Sequence, residues 1–304
     1  MEEVFETVSV MRPCYNALQR TDLCNNICRF SNSFNNCWMN ATLQAALHLN
    51  VVRNTLTHQR PESLILLSST PTFAGLFLEA LRNPGRSFSP TELYGALTEL
   101  SEKVPSLCLL QRNDPLKLLK HLWVWLNRCG IKTLTEVQGR GWCDNCGTSW
   151  GTSSNIYFLP LPRRGNSFSL FQQAVKQNTG PCETCGDIVQ KQKVWNDPDI
   201  VTLFLSQGAR TGSVLGKSVT PLQVIEFPVG ENQTQLYSLS SVICHSGNEP
   251  PTGHIWSYLC SDFITIKACD SRISVASEYM RDDIYRHGII FLYEKVHESS
   301  RHHW

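Results

Sequence analysis

Cys37 lies in the stretch Asn32-Ser33-Phe34-Asn35-Asn36-Cys37-Trp38-Met39-Asn40, directly ahead of an apolar run from Ala41 to Leu49. If that run is helical, the thiol stands at a helix N-terminus, where free N–H groups and the macrodipole favour a thiolate and lower its pKa. More than two hundred residues later comes Gly253-His254, with Asp270 sixteen positions beyond. A neutral imidazole can take a thiol proton, and a carboxylate can hold that imidazole in one tautomer and orientation. The three residue types therefore predict a thiol nucleophile, a general base and an orienting acid. Each also has an ordinary reading, as a core cysteine, a strand histidine and a turn carboxylate.

A second chemistry lies between them. Cys143-Asp144-Asn145-Cys146-Gly147 and Cys182-Glu183-Thr184-Cys185-Gly186 repeat one CxxC-Gly pattern. Each pair can bite one zinc ion from a tight turn that the glycine lets close, and four thiolates complete a tetrahedron. Such a site has no open coordination position, so it predicts a structural staple between two hairpins. A redox role is disfavoured, because redox chemistry needs only one pair, at a helix start. The remaining cysteines, Cys14, Cys24, Cys28, Cys108, Cys129, Cys244, Cys260 and Cys269, show no pairing and read as buried thiols.

The elements that must position these groups divide the chain. Helical periodicity covers 38–56, with Leu43, Ala46, Leu47 and Val51 on one side. Three further helices are predicted at Thr72–Leu81, Pro90–Leu100 and Pro115–Cys129, the last closed by Gly130. The Trp123 and Trp125 side chains fall on the apolar side of that last helix and read as core. Beyond Gly130 short β-branched and aromatic runs predict strands at Ile156–Leu159, Ile200–Leu205, Leu222–Phe227, Leu236–Cys244, His254–Leu259, Phe263–Ala268 and Ile289–Tyr293. Arg281-Asp282-Asp283 reads as a solvated charged face, and His245 as a structural residue in a turn before Gly247. A helical half followed by a strand half is an α+β pattern. An active site between the halves would draw its nucleophile from a helix and its base from a strand.

Composition narrows the function classes. The chain has 304 residues, 41% hydrophobic and 17% charged, with a formal net charge of +1. That balance offers no basic surface for nucleic acid or anionic membrane. No run of eighteen apolar residues predicts a membrane span. The acidic start, Met1-Glu2-Glu3, is unlike a secretory signal. The thirteen cysteines are odd in number and suit reduced thiols and metal ligands better than a disulfide framework. A cytoplasmic or nuclear location is the expectation, and the sequons at Asn40 and Asn232 then carry no meaning.

The Cys37 region resembles the cysteine box of the ubiquitin-specific proteases, roughly G-L-x-N-x-G-N-T-C-Y-x-N-x-x-L-Q. Asn32, Asn35, Cys37, Asn40, Leu43 and Gln44 stand in its register. Residues His245 to Ile255 resemble the second box, H-x-G-x-x-x-x-G-H-Y, and the CxxC pairs lie between the boxes as the family's fingers do. The resemblance implies a papain-like fold with helical thumb, β palm and zinc-bearing β fingers at about 140–190. It implies a catalytic domain over 28–297, a lead-in over 1–27 and a tail over 298–304. Cys37 would be the nucleophile, His254 the base, Asp270 its orienting partner and Asn32 the oxyanion donor. Cys143, Cys146, Cys182 and Cys185 would hold one structural zinc, with no organic cofactor. The implied activity is hydrolysis of the isopeptide bond at the C-terminal glycine of ubiquitin, through an acyl-enzyme. The alternative is a weak or inactive relative that binds ubiquitin or a modifier such as SUMO. Phe34, Asn36, Trp38 and Ile255 depart from the family's Gly, Thr, Tyr and Tyr. Ser206-Gln207 stands where the family often has basic residues.

Overall fold

The computed structural model describes residues 22–161, Phe168, Phe171, 179–205, 219–230, 233–247, 253–261, 264–277 and 279–296. Residues 1–21, Asn232, Ser206-Gln207, residues 248–252 of the second box and the tail from 298 lie outside them. No described helix is long and apolar enough to cross a membrane.

The helices are α1 (Cys37–His48), α2 (Asn50–Thr57), α3 (Pro61–Leu66), α4 (Pro71–Arg82), α5 (Pro90–Lys103) and α6 (Pro115–Arg128), followed late in the chain by α7 (Met280–His287). The single helix expected over 38–56 is two. Leu49 between them takes an extended backbone, φ −61° and ψ 125°. The restart needs a partner for its free N–H groups, and a distant strand supplies it. Glu294 Oε1 accepts from Val51 N at 2.8 Å. Local signals start the other long helices. Ser89 and Glu92 form a capping box on α5, Asp114 accepts from Leu116 N at the start of α6, and Gly130 at φ 95° closes that helix. Helix α3 has six residues, too few for a periodic signal. Arg281-Asp282-Asp283 proves to be part of α7, with Asp283 facing inward to Tyr258 and Lys267.

A short parallel pair joins β1 (Arg29–Phe30) to β2 (Ser87–Phe88). Two larger sheets follow. The finger sheet comprises β3 (Thr135–Trp142), β4 (Ser149–Ile156), β6 (Thr179–Pro181) and β7 (Ile188–Trp195), in the order β4-β3-β7-β6. The palm sheet comprises β5 (Leu159–Leu161), β8 (Ile200–Leu205), β9 (Val224–Val229), β10 (Gln233–Ser246), β11 (His254–Cys260), β12 (Thr265–Cys269), β13 (Arg272–Val275) and β14 (Gly288–Lys295). Its order is β13-β12-β11-β10-β14-β8-β5, with β9 also on β10. The strand expected at Ile156–Leu159 is corrected. The chain leaves the finger sheet at Ile156 and enters the palm at Leu159. His245 also sits within β10, paired with Ile255, rather than in a turn.

The palm sheet is buried on both faces by strict alternation. Ile243, Ile255, Ile290 and Leu292 join the helical core. Val242, Cys244, Trp256, Tyr258, Phe291 and Tyr293 join a second core on the other face, with Ile284 of α7. Trp123 and Trp125 are core, as their spacing predicted, and donate to Thr202 Oγ1 and Leu64 O. Leu23 and Ile27 pack on Leu259 and Ile266 at the end of the palm.

Candidate active site and metal centre

Cys37 is the first residue of α1, buried against β11. The preceding loop is shaped by two asparagines. Asn35 takes a left-handed backbone at φ 55°. Buried Asn36 accepts from Phe34 N at 3.1 Å and donates to Ser31 O and Asn40 Oδ1, each at 2.9 Å. The thiol is flanked by the N–H groups of Ile255 and Trp38. The expectation of a lowered thiol pKa is not met. Burial pushes Cys37 up, Asp270 adds to the rise, and the Ile255 and Trp38 amides with Arg112 offset only part of it. Desolvation here outweighs the helix terminus.

His254 opens β11, one residue from the amide that faces Cys37. Its backbone is locked by Ser246, whose hydroxyl accepts from His254 N at 3.1 Å. Gly253 makes this possible. Its φ is 89°, and a Cβ there would stand 1.3 Å from Ser246 O. Among the described residues Cys37 makes no hydrogen bond to His254. The Nε2 of His254 instead meets Cys269 Sγ at 3.1 Å and Asp270 Oδ2 at 3.7 Å.

Asp270 is held more firmly by asparagines than by the imidazole. Its Oδ1 accepts from Asn40 Nδ2 at 2.7 Å and its Oδ2 from Asn32 Nδ2 at 3.1 Å. Its carbonyl accepts from Gln44 Nε2 at 2.9 Å. Helix α1 therefore carries the thiol, the Asn40 amide that binds the carboxylate and the Gln44 amide that binds the Asp270 carbonyl, while Asn32 reaches the carboxylate from the preceding loop. The fold brings Cys37, His254, Asp270 and Asn32 into one region, but Asn40, Gln44 and Cys269 were not anticipated as members of it. The first two had a signal, since both stand in the cysteine-box register. Cys269 had none, and was expected to be a buried core thiol; it is instead half-buried beside the histidine.

The departures from the family pattern are accommodated by packing. Phe34 packs against Tyr94 with its ring tilted by 54° and centroids 5.3 Å apart. Trp38 is buried and donates from Nε1 to Gln111 O at 3.1 Å. Ile255 faces the helical core. Among the described residues the non-glycine residues with positive φ are Asn35, Leu110 and Asp270. Asn35 Nδ2 donates to Leu110 O at 3.3 Å, and Asp270 is the carboxylate partner of His254. Backbone strain thus collects around the thiol, as it does at functional sites.

The finger tips form the second site. Cys143 N donates to Thr148 O at 2.9 Å and Gly147 N to Cys143 O at 2.8 Å; Cys182 N donates to Asp187 O at 2.7 Å and Gly186 N to Cys182 O at 2.9 Å. Gly147 and Gly186 take positive φ values of 68° and 81°. The two knuckles face each other with Cys143 Sγ 3.5 Å from Cys185 Sγ and Cys146 Sγ 3.6 Å from Cys182 Sγ. All four sulfurs lie within 4.8 Å of one another. Zinc–sulfur bonds of about 2.3 Å in a tetrahedron need sulfurs roughly 3.8 Å apart, so the donor set fits one such ion. Among the other cysteines, Cys108 is exposed rather than buried as expected, Cys24 and Cys260 are partly covered, and Cys28, Cys129 and Cys244 are buried. Cys14 lies outside the described residues.

Solved structures share the architecture. The SAGA DUB module Ubp8/Sgf11/Sus1/Sgf73 bound to monoubiquitin matches at TM-score 0.68 and 12% identity, over 90% of this chain and 70% of that one. The same module bound to ubiquitin aldehyde matches at TM-score 0.65 and 13% identity, again over 90% and 70%. No curated protein matches the chain in sequence. The family model described as ubiquitin carboxyl-terminal hydrolase matches residues 28–293. With most of its length inside that match, the chain belongs to the ubiquitin carboxyl-terminal hydrolase family, the cysteine-type ubiquitin hydrolases.

Proposed function

We propose that this chain hydrolyses the isopeptide bond at the C-terminal glycine of ubiquitin, using Cys37 as nucleophile. The observation that carries the reading is the meeting of α1 and β11. The thiol at one helix start faces the amide of Ile255, next to His254, whose Nε2 points to Asp270. With Nε2 turned to the carboxylate, Nδ1 is the nitrogen left to take the thiol proton. Cys37 Sγ then attacks the glycine carbonyl, and the protonated imidazole returns the proton to the leaving lysine amine. Water resolves the thioester by the same base. An asparagine amide carries two N–H donors. Asn32 spends one on Asp270 and can offer the other to the oxyanion, a contribution worth roughly 3 kcal/mol in comparable hydrolases.

The missing Cys37–His254 bond means that the ring must approach the thiol before chemistry. Hydrogen bonds of this kind often tighten only in the substrate complex. The four finger thiolates would hold one structural zinc, with no open position for catalysis. A ubiquitin-sized partner suits a cleft between thumb and palm with fingers beside it. The thiol chemistry suits the reducing cytoplasm or nucleus. A second reading, a relative that binds ubiquitin or a modifier such as SUMO without cleaving it, draws on the burial of the thiol and its lack of a bond to His254.

The test is intact mass after incubation with a ubiquitin probe carrying a C-terminal electrophile, with SUMO probes in parallel and Cys37→Ala as control. A ubiquitin adduct lost in the variant supports the proposal. An adduct with SUMO alone moves the specificity. No adduct from folded protein favours the binding-only reading.

A further inference from the structure

We propose that His254, Cys269 and Asp270 form a second zinc site, separate from the fingers, whose occupation switches the enzyme off. Its inhibitory consequence rests on the reading of His254 as the base; its metal binding does not. Three donor types that zinc favours converge on one point. His254 Nε2 is 3.1 Å from Cys269 Sγ and 3.7 Å from Asp270 Oδ2, and all three donors lie within 4.8 Å of one another. A tetrahedral zinc ion at bond lengths of about 2.0–2.3 Å needs neighbouring ligand atoms roughly 3.4–3.6 Å apart. The two distances from His254 Nε2 are within a few tenths of an ångström of that spacing, and the Cys269 and Asp270 donors lie within 4.8 Å of each other.

The backbone explains why two adjacent residues can both serve. Along a strand successive side chains point to opposite faces, so Cys269 and Asp270 would ordinarily diverge. Asp270 leaves the strand with φ 56°, and its carboxylate turns to the same nitrogen that Cys269 meets. Cys269 is anchored by its pairing with Arg272 across the β12–β13 hairpin. Asn40 and Asn32 hold the carboxylate from behind, the outer-shell support that metal-binding carboxylates use. The imidazole lies parallel to the Trp256 ring at 6.2 Å, with an interplanar angle of 15°. The His254 side chain is 38% exposed and that of Asp270 13%, so an ion can enter from solvent. Three protein ligands leave a fourth position to water, an open arrangement unlike the closed finger site. Binding releases the Cys269 thiol proton to solvent, joins sulfur, nitrogen and oxygen to the metal, and removes the nitrogen that orients the base.

The 304-residue chain carrying its finger zinc would be titrated with chelator-buffered free zinc. Bound metal per chain would be measured alongside the rate of adduct formation with the electrophilic ubiquitin probe. The expected result is two ions per chain in the native protein and one in Cys269→Ala and Cys269→Ser, with second-site affinity at least about 100-fold weaker in both. Over the same titration the native rate should fall at least about tenfold relative to its own zinc-limited value, and the variant rates should hold. A single ion per chain in the native protein, or equal second-site affinity in the folded variants, overturns the inference. Stoichiometry reads the site without turnover. If no ubiquitin adduct forms at any zinc level, the loss falls on the proposed function and the metal count still decides the site.

Discussion

The finger tips and the proposed catalytic cleft both rest on thiols, yet they are assembled in opposite ways. At the fingers each CxxC-Gly knuckle closes on itself through two local hydrogen bonds, and the four sulfurs arrive already spaced for one ion. In the cleft the thiol comes from α1, the imidazole from β11 and the carboxylate from the end of β12. None of these is local to another, and the thiol and imidazole stop short of bonding. A site that must only hold can be completed by short-range turns. The proposed reacting pair has no such local closure, and His254 meets Cys269 rather than Cys37.

The largest effect is expected at the fingers. Cys143→Ser should release the ion and melt the finger sheet, because zinc binding to such knuckles carries on the order of 10 kcal/mol of folding free energy. Metal analysis and loss of finger amide protection would show it, and full metal retention would break the four-thiolate assignment. Cys37→Ala should do the reverse. Turnover should fall on the order of 10⁴-fold or more, while thermal stability changes little, since the truncation removes one neutral buried sulfur and no buried charge. Substantial residual turnover would end the nucleophile assignment and erase the contrast.

Acid tests the join between α1 and the palm. His48 bonds Cys260 O at 3.0 Å, and burial lowers its pKa from 6.5 to about 4. A depressed histidine favours the neutral form in the fold, so its contribution is complete above 6.5 and is lost as pH falls through 4. Denaturant unfolding should show a loss of up to roughly 3 kcal/mol across that window, flattened in His48→Gln. A flat native profile would show that the helix and sheet tolerate the charged ring. The smallest effect is expected from Asn40→Ala, which strips Asp270 Oδ1 of its 2.7 Å donor. It should cost about 1–3 kcal/mol of stability and lower kcat roughly tenfold by loosening the carboxylate. Unchanged kcat would show that Asn32 alone positions Asp270.

Much of this was legible from the chain itself. CxxC-Gly repeats, a capping serine with glutamate three residues on, prolines at helix starts and the continuous apolar run of β14 are short-range patterns, and the structure places them as their chemistry requires. The box register around Cys37 marked Asn40 and Gln44 even though their work was not foreseen. Other features depend on partners far away in sequence. Leu49 breaks a helix that periodicity would continue, because Glu294 caps the restart. Strands β3 and β4 carry few β-branched residues, and their place in the sheet is set by pairing, β4 on β3 and β3 on β7. The direction of the Cys37 pKa shift reversed because burial against β11 outweighs the helix terminus. By itself the sequence determined which groups exist and which local turns they make. Only the tertiary structure decided the rest: that Asp270 turns back beside Cys269, that both meet His254, and that the thiol faces the Ile255 amide rather than the imidazole. Those outcomes follow from strand register and long-range burial, which no local pattern contains.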